Sequence, residues 1–177
     1  MDFSRLEKNL TDNIKEAQLK LGYDDLPMSL NYMRTTLDSL VGEDCTEDIL
    51  AEFAEYAKPR LGDLKFGSIR DGVCITIPAS GTAYVNSLTE GYEFLSELIS
   101  AVSSHEMSIE KVTDIFRKYS ENVVVEESGN EEFDVLVCFA DKVPDEYLYC
   151  LTAEPCINGG CHIIYHRFIK EDYKNLF

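Results

Sequence analysis

At 177 residues, 45% of them hydrophobic and 28% charged, the chain is long enough to bury a core without a metal or disulfide merely to hold it folded. Its 33 Asp and Glu against 16 Lys and Arg leave a formal net charge of −17, a field that repels phosphate backbones and anionic lipid and argues against nucleic-acid and membrane-surface binding. The acid is concentrated in residues 89–177, which suits a solvated surface or one that captures a basic partner.

The opening MDFSRLEKNL lacks an apolar stretch of signal-peptide length, and no apolar run approaches the roughly eighteen residues that span a bilayer. A cytoplasmic location follows as the expectation, with the six cysteines mostly reduced and buried as small hydrophobes.

Leu6, Leu10, Ile14, Ala17 and Leu21 recur every three or four residues, which places them on one face of a first helix. Ser4 with Glu7 reads as its capping box, and Gly22 as its left-handed end. Residues 28–33 read as a short strand and 35–41 as a short helix. A longer helix is predicted over 47–57, capped by Thr46, buried along Ile49, Leu50, Phe53 and Ala57, and stopped by Pro59.

The period then changes. Residues 64–70 and 73–78 flank Asp71-Gly72, a pair suited to a two-residue hairpin turn, which would set Phe66 opposite Ile77 and Ser68 opposite Ile75. Helices follow over 90–103 and 109–119, the second capped by Ser108. Strands are predicted within 122–128, 132–140, 146–152 and 161–168, ahead of a short amphipathic tail. Helices mostly first and a strand meander mostly last predict one α+β domain over 1–177 with an antiparallel sheet.

The opening RLEKNLTDNIKEAQLKLGY, with YLYC at 147–150 and IIYHRF at 163–168, resembles an uncharacterised bacterial family of small cytoplasmic proteins known only as a domain of unknown function. The resemblance covers nearly the full chain; the family has no established activity, so no catalytic residue is carried over.

CINGGCHIIYHRF, residues 156–168, gathers two cysteines and two histidines. On a strand, His162 and His166 share a face but lie about 13 Å apart, too far to grip one ion. Cys161 and His162 point to opposite faces, and the chain has no C-x-x-C, so no metal and no cofactor is expected. If Asn158-Gly159 forms a two-residue turn, Cys156 lies opposite Cys161 and the two are candidates for a redox thiol pair. His105, in SSHEMS between two helices, reads as a solvated loop residue, since no nucleophile elbow surrounds Ser104.

Arg167 shares a strand face with Tyr165, and Tyr149 projects from the preceding strand. In a chain so short of cations, Tyr149, Tyr165, His166 and Arg167 are candidates for binding a small anionic ligand. The leading functional expectation is a non-enzymatic acidic binding or interaction protein with a basic protein as partner. The alternative is an enzyme or sensor for a small anion at those C-terminal strands.

Overall fold

Two antiparallel sheets organise the chain. In a computed structural model describing residues 1–177, packing groups the chain into Met1–Thr89 and Glu90–Phe177, each with one sheet and its own helices. This is the α+β class expected from the sequence. The four strands predicted as a meander form one sheet, the earlier strands form a second, and no linker composition marks the junction at Thr89–Glu90.

In the first unit, α1 (Ser4–Leu21) buries Leu6, Leu10 and Ile14 completely, while Leu21 at the far end of the stripe is exposed. Gly22 ends it in the left-handed conformation, φ 72°, with its N–H on the Gln18 carbonyl. The predicted capping box is absent. Ser4 is the first helical residue, its N–H taken by Asp2, and the Glu7 carboxylate instead pairs with Arg60. Phe3 precedes the helix and packs its ring against Phe53 and Tyr56, each 5.6 Å away between centroids, so an apolar anchor replaces a polar cap.

After β1 (Met28–Met33) and α2 (Arg34–Val41), helix α3 (Glu47–Leu61) starts where Thr46 accepts the Ile49 N–H. Ile49, Leu50, Phe53 and Ala57 form its buried face as expected. It does not stop at Pro59. A proline in the last turn forfeits only one backbone bond, and Leu61 beyond it is fully buried, a burial that stabilises by about 1.5–3 kcal/mol.

Strands β2 (Lys65–Ile69) and β3 (Gly72–Ile77) form the predicted hairpin, with β3 also paired to β1 in the order β1-β3-β2. The turn is Arg70-Asp71, so Phe66 faces Ile75 and Ser68 faces Val73. This is two residues from the expected register, which keeps every side chain on the expected face. The glycine serves another purpose: a Cβ at Gly72 would lie 1.9 Å from the Tyr32 carbonyl oxygen of β1. Helix α4 (Ala79–Ser87) follows, and the buried Lys15 of α1 donates to the carbonyl of Asn86 at 3.1 Å.

In the second unit, α5 (Glu93–Val102) and α6 (Ile109–Tyr119) precede β4 (Val123–Glu127), β5 (Val135–Phe139), β6 (Leu148–Pro155) and β7 (Cys161–Phe168). Ser108 caps α6 through the Lys111 N–H. The strands pair in chain order, β4-β5-β6-β7. The face carrying Val137, Phe139, Tyr149, Leu151, Ile163 and Tyr165 is buried. Phe94 and Phe116 of the two helices pack on it, their rings 4.8–5.7 Å from each other and from Phe139 and Tyr149. Helix α7 (Lys170–Leu176) brings Tyr173 beside Phe168, on the other face. No helix is long and apolar enough to cross a membrane.

Candidate metal centre

The β6–β7 hairpin closes through a three-residue loop, not two. Cys156 donates its N–H to the Gly160 carbonyl at 2.8 Å, and Gly159 occupies the left-handed region at φ 87°. An Asn-Gly pair serves this bulged loop as well as a tight turn, with glycine at the position that needs positive φ. The ladder therefore runs Glu154 to His162 and Pro155 to Cys161.

That one-residue change reverses the expected placement of the thiols. Cys156 is not opposite Cys161. It lies on the face of Glu154 and His162, while Cys161 lies on the face of Ile163 and Tyr165. Both are free thiols, and cross-strand pairing between them has lost its geometric basis.

A third backbone segment reaches the same corner. The loop between α5 and α6 runs beside the start of β7, with Glu106 bridging Cys161 in parallel fashion and Met107 N–H donating to the Cys161 carbonyl at 2.9 Å. The fit depends on Gly160, where a Cβ would come within 2.4 Å of the His105 carbonyl oxygen. Lys111 secures the loop from the other side by donating to the Glu106 carbonyl at 2.9 Å.

His105 is thereby carried to the hairpin. Ligand atoms of His105, Cys156 and His162 all lie within 4.8 Å of one another. The Cys156 Sγ is 3.3 Å from His162 Nδ1, and the two imidazole rings stand nearly perpendicular with centroids 6.2 Å apart. Around a tetrahedral ion with metal–nitrogen bonds of about 2.0 Å and a metal–sulfur bond of about 2.3 Å, donor atoms sit roughly 3.5 Å apart. The sulfur and Nδ1 already have that spacing, and the His105 donor atom lies within 4.8 Å of both.

Behind His162, Glu154 Oε2 lies 3.5 Å from Nε2. A carboxylate on the ring nitrogen away from the ion fixes tautomer and ring orientation and makes the other nitrogen a better donor. His105 is exposed, and Cys156 and His162 are half-buried, so an ion held by these three would have solvent as the source of a fourth ligand.

The strand residues proposed for an anion are arranged otherwise. Tyr149 is fully buried and donates its hydroxyl to Asp145 Oδ2 at 2.7 Å. Tyr165 is buried beside it, and the Arg167 guanidinium lies over the Tyr147 ring, 4.4 Å from its centroid. His166 projects from the opposite face, next to Phe133 and Phe168. Three of the four are thus packed into one face of the sheet, and His166 does not join them. Cys150, also in this sheet, is inert: burial pushes its thiol up to about 12.

Residues 3–177 match the family model described as "Domain of unknown function, E. rectale Gene description (DUF3877)". The chain belongs to this family. Comparison with curated proteins and with solved structures finds no match. In this DUF3877 chain, His105 is the site residue that strand alternation could not find, since it stands on a loop far from the hairpin in sequence. Its only local signal is a histidine in the loop before the capped helix α6.

Proposed function

We infer that the protein is a metal-binding protein, holding a transition-metal ion of the zinc class through His105, Cys156 and His162. The observation that carries this reading is the convergence of one thiol and two imidazoles from three backbone segments, within 4.8 Å. Mixed nitrogen and sulfur donors favour zinc and its borderline-soft neighbours over magnesium or calcium, which take oxygen. Three protein donors with an open fourth position describe an exchangeable or reactive site more than a closed structural one.

The acidic composition supports the same reading. A net charge of −17 enriches cations near the surface, so the expected acidic binding protein acquires a small cation as its cargo instead of a basic protein. A reducing cytoplasm, expected from the composition, would keep Cys156 as a thiol ready to ligate.

Elemental mass spectrometry of untagged protein, purified under reducing conditions without chelator and dialysed, tests the reading. Near-stoichiometric zinc or a related metal that Cys156→Ser loses supports it. A metal-free wild type that also fails to retain added zinc would overturn it.

A further inference from the structure

The first unit contains a cavity of about 300 Å³ lined by Arg34, Glu47, Leu50, Phe66, Ser68 and Val73. We propose that it binds a small zwitterion with an apolar body, of the chemical class of an apolar α-amino acid, whose carboxylate meets Arg34 and whose ammonium meets Glu47.

Arg34 opens α2, and its backbone N–H is held by the Asp71 carbonyl at 3.0 Å. One guanidinium nitrogen, Nη1, donates to the Cys45 carbonyl at 2.6 Å, which points the group toward the start of α3. No carboxylate of the protein lies within ion-pair distance of it, in a chain with 33 acidic residues. Glu47, the first residue of α3, lines the same cavity and forms no ion pair with Arg34. A positioned guanidinium and an exposed carboxylate line one cavity without pairing, which matches a ligand that carries both charges and spans between them. A guanidinium with Nε and Nη2 still available offers a carboxylate two parallel hydrogen bonds.

Apart from Ser68 and the backbone of Gly67, the remaining wall is apolar. Leu50 and Val73 are buried, 4% and 3% exposed, and form the floor, with the half-buried Phe66 ring beside them. Phe66 and Ser68 project from the same face of β2 as Val73 does from β3, because Ser68 pairs with Val73 and Phe66 with Ile75. A hydrocarbon side chain has somewhere to go, and the volume suits a small molecule.

Thermal-shift and calorimetric titrations of the full-length chain with leucine, with 4-methylpentanoate, which lacks the ammonium, and with 3-methylbutylamine, which lacks the carboxylate, test the proposal. The expected result is concentration-dependent stabilisation by leucine, at least tenfold weaker binding of either partial analogue, and loss of the leucine effect in Arg34→Ala. Arg34→Lys, which keeps a donor for Cys45, guards against a folding defect and should weaken leucine at least tenfold. Ser68→Trp, on an exposed strand position, should block the cavity. No binding of leucine, or leucine binding indifferent to Arg34→Lys and Ser68→Trp, would overturn the proposal. Equal binding of leucine and 4-methylpentanoate would overturn the role of Glu47 and with it the zwitterion.

Discussion

The backbone N–H of Met107 donates to the carbonyl of Cys161 at 2.9 Å, and this bond ties the α5–α6 loop to the hairpin that carries Cys156 and His162. His105, two residues before Met107, is brought to the thiol and the second imidazole as a consequence. If the three residues act as one site, His105→Ala, Cys156→Ser and His162→Ala should each weaken zinc binding by at least tenfold. Competition titration against a chromogenic chelator measures the effect. Glu154→Gln, which removes no donor, should weaken it by roughly 10–100-fold, through loss of the carboxylate behind His162.

Gly160 provides a test that leaves every donor in place. A Cβ there would come within 2.4 Å of the His105 carbonyl oxygen, a backbone atom with little room to retreat. Gly160→Ala should push the loop from the hairpin, cost about 1–3 kcal/mol in urea denaturation, and weaken zinc at least tenfold. Gly159→Ala should strain only the turn, at φ 87°, and leave zinc affinity nearer to wild type.

Gly72 should be the least tolerant glycine of the first unit. Its Cβ would lie 1.9 Å from the Tyr32 carbonyl oxygen, between two paired strands. Gly72→Ala is expected to destabilise by at least about 2 kcal/mol, read from the urea midpoint. Gly67→Ala, on the neighbouring strand with nothing near its Cβ position, should be close to neutral.

Cys150 gives the protein an alkaline stability slope. Its thiol ionises near 9.0 when unfolded, while burial pushes it up to about 12 in the fold. Below pH 9 both states hold the proton and nothing changes. Between about 9 and 12 the unfolded chain releases it and the folded chain does not, so stability falls as pH rises through that window. Burial also raises Cys45, in the same direction. Thermal melts at pH 8 and pH 10 should show a smaller drop for Cys150→Ala than for wild type, even though the variant starts from a lower melting temperature.

Local pattern made most elements legible in advance and left their pairings open. The stripes of α1 and α3, the cap of α6 and the limits of β7 follow from periodicity and caps, which act within a few residues. Register depends on which backbone must pass close to which, and that is tertiary information. Asp71-Gly72 looked like a turn because glycine permits one, whereas Gly72 is required by the approach of Tyr32. Asn158-Gly159 admits two loop lengths, and the longer one moved Cys156 to the face of His162. His105 lay outside any strand argument, because its position is set by the docking of a loop. Sequence alone did not reveal that Tyr149 and Tyr165 fill the core while Arg167 lies over the Tyr147 ring.

The central claim is most directly tested by the absorption spectrum of the full-length chain on titration with cobalt(II), under reducing conditions, beside Cys156→Ser. Saturation at one ion per chain is predicted. It should bring a thiolate-to-cobalt charge-transfer band and the intense visible bands of a four-coordinate ion, and Cys156→Ser should lack the charge-transfer band. Zinc should displace both. A spectrum no different from that of free aqueous cobalt(II), or one that Cys156→Ser leaves intact, would contradict a site built from His105, Cys156 and His162.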